Sequence, residues 1–394
     1  MADISSPQGA RSSRWPSVAL VALVVLAGGV LLLLLREHRD PTSMSALALR
    51  PEQAKGANGT FPPAFTDTRP DLSQRPDYVD VCGVGRVRVR PDGQLDLPEY
   101  MASGRHLLDT VTASLAASRN DSDRALALYI NPALAGPPKR VNGTDDPGFN
   151  DESRQQLARL ALASRDPVAY FLAFRVCGTG APSAPTDGAC TQISASHWAL
   201  LDPDNAVPWL YEADAAQRRN DPRGVDEALR RASRAKTMEP YMFTPLRLID
   251  SPAIRSAPPA SAQAALVDLV GIMAAMPLPN LHLVTQYCAA NAKGAAERAQ
   301  VCSGLAEVLA ERSTVLIGMA IGVRIGEQVG WPRERVAAVK ARLTSLQQVK
   351  SVDPNDLYSC TAMERTRQHF ADFGRFGEVA AAELAVKAGQ RPVK

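Results

Sequence analysis

The sequence predicts an all-α protein: paired antiparallel helices stacked as a repeat-like or solenoid-like body, behind a single N-terminal transmembrane helix. Three observations predict it. From Pro98 onward, apolar residues recur at helical spacing almost without relief, as in Leu107, Leu108, Val111 and Leu115. Ala, Leu and Arg, all good helix formers, recur through those stretches, while aromatic residues make up 5% of the chain. Near the start, one run from Val18 to Leu35 (VALVALVVLAGGVLLLLL) is apolar without interruption.

A helix over that run would be roughly 27 Å long at ~1.5 Å per residue, near the hydrocarbon thickness of a bilayer. A cleaved export signal has a shorter apolar core followed by small residues. Here Arg36-Glu37-His38-Arg39-Asp40 follows instead. The run therefore reads as an uncleaved anchor, with residues 1–17 as a short cytoplasmic tail. Arg11 and Arg14 before the run nearly balance Arg36 and Arg39 after it, so the positive-inside rule does not choose a side. Residues 36–78 are rich in Pro, Ser, Thr and Asp, lack an apolar period and read as a flexible stalk.

The cysteines choose the side. Cys82, Cys177, Cys190, Cys288, Cys302 and Cys360 include no CxxC, and no His stands beside them at metal-ligand spacing, which argues against zinc. An even number behind an export signal points to disulfides in an oxidising space. Many pairings are open to six cysteines. The economical one joins Cys177 to Cys190 and Cys288 to Cys302, leaving Cys82 for Cys360. Cys288 and Cys302 would stand ~21 Å apart on one helix, whereas a bridge needs Cα atoms within about 7 Å. That pairing requires a chain reversal, and Asn291 to Gly294 is the place for it. Six free thiols in a reducing compartment are the alternative. With the disulfide reading, the body is periplasmic and the anchor lies in a bacterial inner membrane.

Within the body, residues 79–390, the first element is a short β-hairpin: Val84, Val87 and Val89, then Pro91-Asp92-Gly93 as the turn, then Leu95 and Leu97. Amphipathic helical segments follow at about 122–133, 151–163, 166–176, 189–200, 206–219, 224–236, 261–275, 280–291, 295–311, 314–329, 332–348, 356–373 and 376–388, separated by Pro, Gly and Asn-Asp clusters. The Pro-rich stretch 251–260 (SPAIRSAPPA) marks a subdomain break.

One stretch carries a family resemblance. Asp202-Pro203-Asp204-Asn205 has Pro to stop one helix and Asn to cap the next. Trp209 stands where a first large residue packs, and Ala228, Ala232 and Ala235 supply small positions at helical spacing. Residues 202–235 thus resemble a tetratricopeptide-type helical hairpin, which implies helix-pair architecture more than a peptide-binding role. The turn around Asn220 to Gly224 is longer than the family's, the Leu-Gly pair after the Trp is absent, and no second copy follows at the family's period.

Gly318, Gly322, Gly326 and Gly330 recur every four residues, a ridge without side chains on which another helix, or a partner, lies closely. Asp202-Pro203-Asp204 and Asp121-Ser122-Asp123 are Asp-x-Asp triplets. The tail, anchor, stalk and body resemble the layout of a type II Golgi glycosyltransferase, whose metal site uses such a triplet. Both triplets here sit in helix-capping turns, without the parallel strands that site needs. His38, His106, His197, His282 and His369 are scattered and form no HExxH. Arg218, Arg219, Arg223, Arg230, Arg231 and Arg234 alternate with Asp214, Asp221, Asp226 and Glu227, the pattern of a salt-bridged surface. Net charge is +3, which gives no electrostatic case for nucleic acid. Neither a cofactor nor a small-molecule ligand is implied. The reading is a membrane-anchored binding or scaffolding module for other envelope proteins. An envelope hydrolase or transferase with a site built from distant residues, and a cytoplasm-facing assembly factor, are the alternatives.

Overall fold

A computed structural model describes residues 78–89, 98–134, 140–141, 144–145, 151–177, 188–289, 296–348 and 358–389. The apolar run Val18–Leu35 and the stalk up to residue 77 lie outside them. No helix among the described residues is long and apolar enough to cross a membrane. The chain forms two compact units. One comprises Asp80–Arg86 and Leu97–Lys394; of the other, Met1–Val79 with Val87–Asp96, only residues 78–79 and 87–89 are described.

A hairpin forms ahead of the one that the sequence signal marks. Strands β1 (Tyr78–Val81) and β2 (Gly85–Arg88) form a two-stranded sheet. The turn is Cys82-Gly83-Val84, where the Val84 amide donates to the Val81 carbonyl at 3.0 Å. Gly83 and Gly85 supply the positive φ values of 76° and 88° that this reversal needs. Pro91-Asp92-Gly93, the expected turn, lies outside the described residues. A second small sheet, β3 (Arg140–Val141) with β4 (Thr144–Asp145), pairs antiparallel and had no sequence signal.

The rest is helical: α1 (Pro98–Ala116), α2 (Asp121–Leu134), α3 (Asp151–Ala163), α4 (Pro167–Cys177), α5 (Ala195–Leu201), α6 (Ala206–Arg218), α7 (Pro222–Ala232), α8 (Pro252–Ser256), α9 (Pro259–Ala274), α10 (Leu281–Ala289), α11 (Ala296–Glu311), α12 (Leu316–Gln328), α13 (Arg333–Gln347) and α14 (Cys360–Lys387). Side-chain caps set several starts. Ser194, Asn205, Asp221, Ser251 and Ser359 each accept a backbone N–H of the following first turn. The expected segments 356–373 and 376–388 fall on α14, which bends at Gly377 (φ 80°, ψ 167°). Residues 251–260 hold α8 and the start of α9, inside the larger unit.

Consecutive helices pack as pairs: α1 with α2, α3 with α4, α6 with α7, α11 with α12. Other packings join elements that are not neighbours in sequence. Helix α1 lies on α9, and α14 lies on the 3-10 turn Thr244–Asp250. Glycines make both approaches close. A Cβ on Gly104 would stand 2.7 Å from the Ala264 carbonyl carbon, and one on Gly374 2.7 Å from the Arg247 nitrogen. A linear solenoid has contacts only between adjacent repeats, so the stack departs from that pattern. Its core is aromatic where α4, α5 and α6 meet: Trp198, fully buried, lies 5.6 Å from Phe171, 5.4 Å from Phe174 and 5.7 Å from Tyr211 between ring centroids.

Three disulfides pin the body: Cys82–Cys360, Cys177–Cys190 and Cys288–Cys302, with Cα separations of 4.8, 5.0 and 5.6 Å. Cys288 and Cys302 sit on separate helices, α10 and α11, as a short span requires. Closing a loop of this size stabilises by about 3 kcal/mol in the chain-entropy model.

Candidate functional site

The helix pair α6/α7 is held by a backbone ladder that starts from the Asp202-Pro203-Asp204-Asn205 turn. Asp202 ends α5 and Asn205 caps α6. The residues after α7 then run extended. The amides of Lys236 and Thr237 donate to the Asp204 carbonyl at 2.8 and 3.1 Å, and the Ala206 amide donates to Thr237 at 2.8 Å. On its other side this segment meets the turn after α11. The Met238 amide donates to the Arg312 carbonyl and the Thr314 amide to the Met238 carbonyl, both at 3.1 Å. The Val379 amide, just past the Gly377 bend, completes the row by donating to Thr314 at 3.1 Å. Four distant segments, three between helices and one at the bend of α14, therefore share one short ladder.

Asn205 is the polar centre of this joint and is fully buried. Its amide nitrogen donates to Asp202 and to the Glu239 carbonyl, both at 2.8 Å. Its oxygen accepts from the amides of Val207 and Glu239 at 3.1 and 3.0 Å. The Tyr241 hydroxyl donates to Asp202 at 2.9 Å, and the Tyr241 amide donates to the Glu239 carboxylate at 2.9 Å. Burial raises the Glu239 carboxyl above the usual range, and burial together with the Asp202 charge raises the Tyr241 phenol. Glu378, beside the bend, is also raised by burial; it accepts the Leu316 amide at the start of α12, at 2.8 Å. These carboxylates are engaged as acceptors in the joint.

The residues singled out for binding or packing are packed by the chain itself at Trp209, Gly318, Gly322 and Gly326. Trp209 is 8% exposed. Its indole N–H donates to the Pro203 carbonyl at 3.1 Å, and the Arg231 guanidinium lies 5.0 Å over the ring. Ala228 and Ala232 are buried on α7, but Ala235 lies past the helix end, in the turn that leads to the ladder. On α12, a Cβ on Gly322 would fall on the Ala310 backbone nitrogen and 2.8 Å from the Ala306 carbonyl oxygen of α11. A Cβ on Gly318 would meet Ser313, and one on Gly326 would meet the Trp331 ring. The ridge is thus a seam within the body. Gly330 does not belong to it. Its φ of 82° lies beyond the end of α12, and the chain folds back there as the Trp331 amide donates to the Gly326 carbonyl at 2.9 Å.

Four arginines of the pattern form ion pairs. Arg218 pairs with Asp214, Arg219 with Glu212, and both Arg230 and Arg231 with Glu227. Asp204 pairs with Lys236 on the surface, so the Asp-x-Asp triplet is split between the joint and solvent. Asp121 pairs with Arg124, and Asp123 accepts the Ser118 hydroxyl. No group of three His, Cys, Asp or Glu among the described residues is placed to hold a metal ion. All six cysteines are bonded, which leaves no thiol for a Cys–His pair. Of the histidines, His197 packs on Tyr170 and His369 on Phe373, with ring centroids 5.0 and 4.4 Å apart; burial lowers the His369 imidazole. His38 lies outside the described residues.

A shallow cleft of about 360 Å³ opens between α7, α10 and α11, with Val225, Leu283 and Tyr287 beside Asp221, Asp226 and Arg298. Arg298 lies 4.6 Å over the Tyr287 ring and 3.6 Å from Asp226. Burial, with the Asp226 carboxylate, pushes the Tyr287 phenol up to about 12. No family model matches this chain, and neither a curated protein nor a solved structure matches it.

Sequence reasoning missed Glu239, Tyr241 and Glu378. Each is partly buried in a connection or at a bend, where no period marks it. The left-handed φ of 55° at Tyr241 has no sequence signal either.

Proposed function

We propose that this chain is a single-pass protein of a bacterial inner membrane, whose helical body stands in the periplasm and binds or scaffolds other envelope proteins. One observation carries the reading: a helical body closed by three disulfides follows a polar stretch and an apolar run long enough to span a bilayer. The bonded cysteines support an oxidising compartment over the cytoplasm-facing alternative. The α6/α7 pair, with Trp209 packed inside it and Ala228 and Ala232 at the close approach, supports a tetratricopeptide-like hairpin within a repeat-like stack. The partly buried carboxylates Asp202 and Glu239 are bound up in the joint, which favours a binding body over a hydrolase built on them.

Protease treatment of intact cells and spheroplasts tests the topology, and crosslinking in living cells tests the role. The body should be cleaved only once the outer membrane is opened, and it should crosslink to envelope proteins through its exposed surface. A body protected in spheroplasts would overturn the topology; a body that forms no crosslinks across its surface would overturn the scaffolding role.

A further inference from the structure

The three disulfides differ in how far their cysteine residues are exposed. Cys177, Cys190, Cys288 and Cys302 are between 1% and 5% exposed. Cys82 is 8% exposed, and its partner Cys360 is an exposed residue at the surface. Cys360 is also the first residue of α14, directly after its cap Ser359, whose hydroxyl accepts the Ala362 amide at 3.1 Å. The first turn of a helix leaves N–H groups without helical partners and carries the positive end of the helix dipole. A thiolate at that position is stabilised, and a stabilised thiolate leaves faster in thiol–disulfide exchange.

We propose that Cys82–Cys360 is a thiol-exchange site, opened by a dithiol reductant while the other two bridges stay closed. The inference stands on burial and helix position, independently of the membrane reading. A thiolate of the dithiol attacks the sulfur of Cys360, the exposed residue of the pair. The Cys82–Cys360 bond breaks, its electron pair leaves on Cys82 and a proton follows. The second thiol of the reductant then attacks the mixed disulfide at its own sulfur and expels the Cys360 thiolate. The protein gains two thiols, and the dithiol ends as a disulfide. Opening leaves the turn at Cys82-Gly83-Val84 held by the Cys82 amide on the Tyr358 carbonyl (2.9 Å) and by the close approach of Gly83 to Ala260. The bond spans 278 residues of sequence, so it releases one end of the body from the start of its last helix.

The full-length oxidised protein is treated with graded dithiothreitol, quenched with an alkylating agent and mapped by mass spectrometry. Cys82 and Cys360 should become alkylated roughly tenfold or more faster than the other four, the order expected from access. Helical circular dichroism should be unchanged at that stage. The double variant Cys82→Ser/Cys360→Ser should fold and lack the fast phase. Opening of either buried bridge first, opening of all three together with loss of helix, or a double variant that fails to fold would each overturn the proposal.

Discussion

Two joints hold neighbouring helices in this body, and they work in opposite ways. At the Asn205 joint, a buried polar side chain meets four backbone or side-chain partners, and carboxylates from distant turns gather around it. At the Gly322 seam, α12 approaches the backbone of α11 because no side chain stands between them. The first gains its specificity from satisfied polar groups in a dry setting, where an unmet partner is costly. The second relies on van der Waals contact and offsets the ~1 kcal/mol that each helical Gly forgoes relative to Ala. A polar joint fixes one geometry, while a glycine seam sets only how closely two helices approach.

The sharpest way to break that comparison is Asn205→Ala. It strands the amides of Val207 and Glu239 and the Glu239 carbonyl inside the body, at about 1–3 kcal/mol for each unmet group. We expect a total loss of about 3–5 kcal/mol in urea unfolding. A loss under about 1 kcal/mol, the scale of a simple cap, would mean that water replaces the side chain.

The seam should respond less, and to the opposite change. Gly322→Ala adds a methyl group onto the Ala310 backbone and should destabilise by about 2 kcal/mol, despite the better helix propensity of Ala. Gly271→Ala is its control. Gly271 lies inside α9, and a Cβ there meets nothing within 4 Å, so propensity alone acts and stability should rise by about 1 kcal/mol. Two substitutions of the same kind thus differ in sign. Equal effects at the two sites in thermal unfolding would remove the seam.

A smaller effect comes from Asp268, on the α9 face toward α1. One of its carboxylate oxygens is buried without a hydrogen-bond partner, and burial pushes its pKa from 3.8 up to about 6, against the pull of Arg105. A raised folded-state pKa adds stability below 3.8 and loses it as pH rises through about 6. Asp268→Asn should flatten that part of the stability profile and raise stability at neutral pH by about 1–2 kcal/mol. A variant with the parent slope between those two pH values would show that solvent reaches the carboxylate.

The two joints also differ in how much of them is readable in sequence. The seam announced itself through a four-residue glycine period, because a helix converts that period into one face. Only Gly330 misled, since a glycine at the same interval also ends helices in the left-handed conformation. The polar joint was half visible. Asp202-Pro203-Asp204-Asn205 is local turn chemistry, and it gave the α5–α6 boundary and the cap. Glu239, Tyr241, Thr314 and Glu378 join it through tertiary contacts between segments of irregular chain, which no local pattern encodes. The same limit explains the hairpin. The sequence signal at Pro91-Asp92-Gly93 lies outside the described residues, and the reversal at Cys82-Gly83-Val84, with positive-φ glycines at 83 and 85 and the bond to Cys360, carries no alternating pattern of its own. Most of the longer helices were legible because amphipathic period is local; the short α8, inside the Pro-rich stretch 251–260, was not. The packing of α1 on α9 was not, because it joins residues far apart in sequence.

The central claim is a helical body, oxidised and tethered through its apolar leader. Counting free thiols on full-length protein extracted from washed membranes, without reductant, tests it most directly. The account predicts that the chain stays with the carbonate-washed pellet and that denatured, unreduced protein takes up no maleimide. A chain recovered in the wash, with all six cysteines labelled, would contradict it.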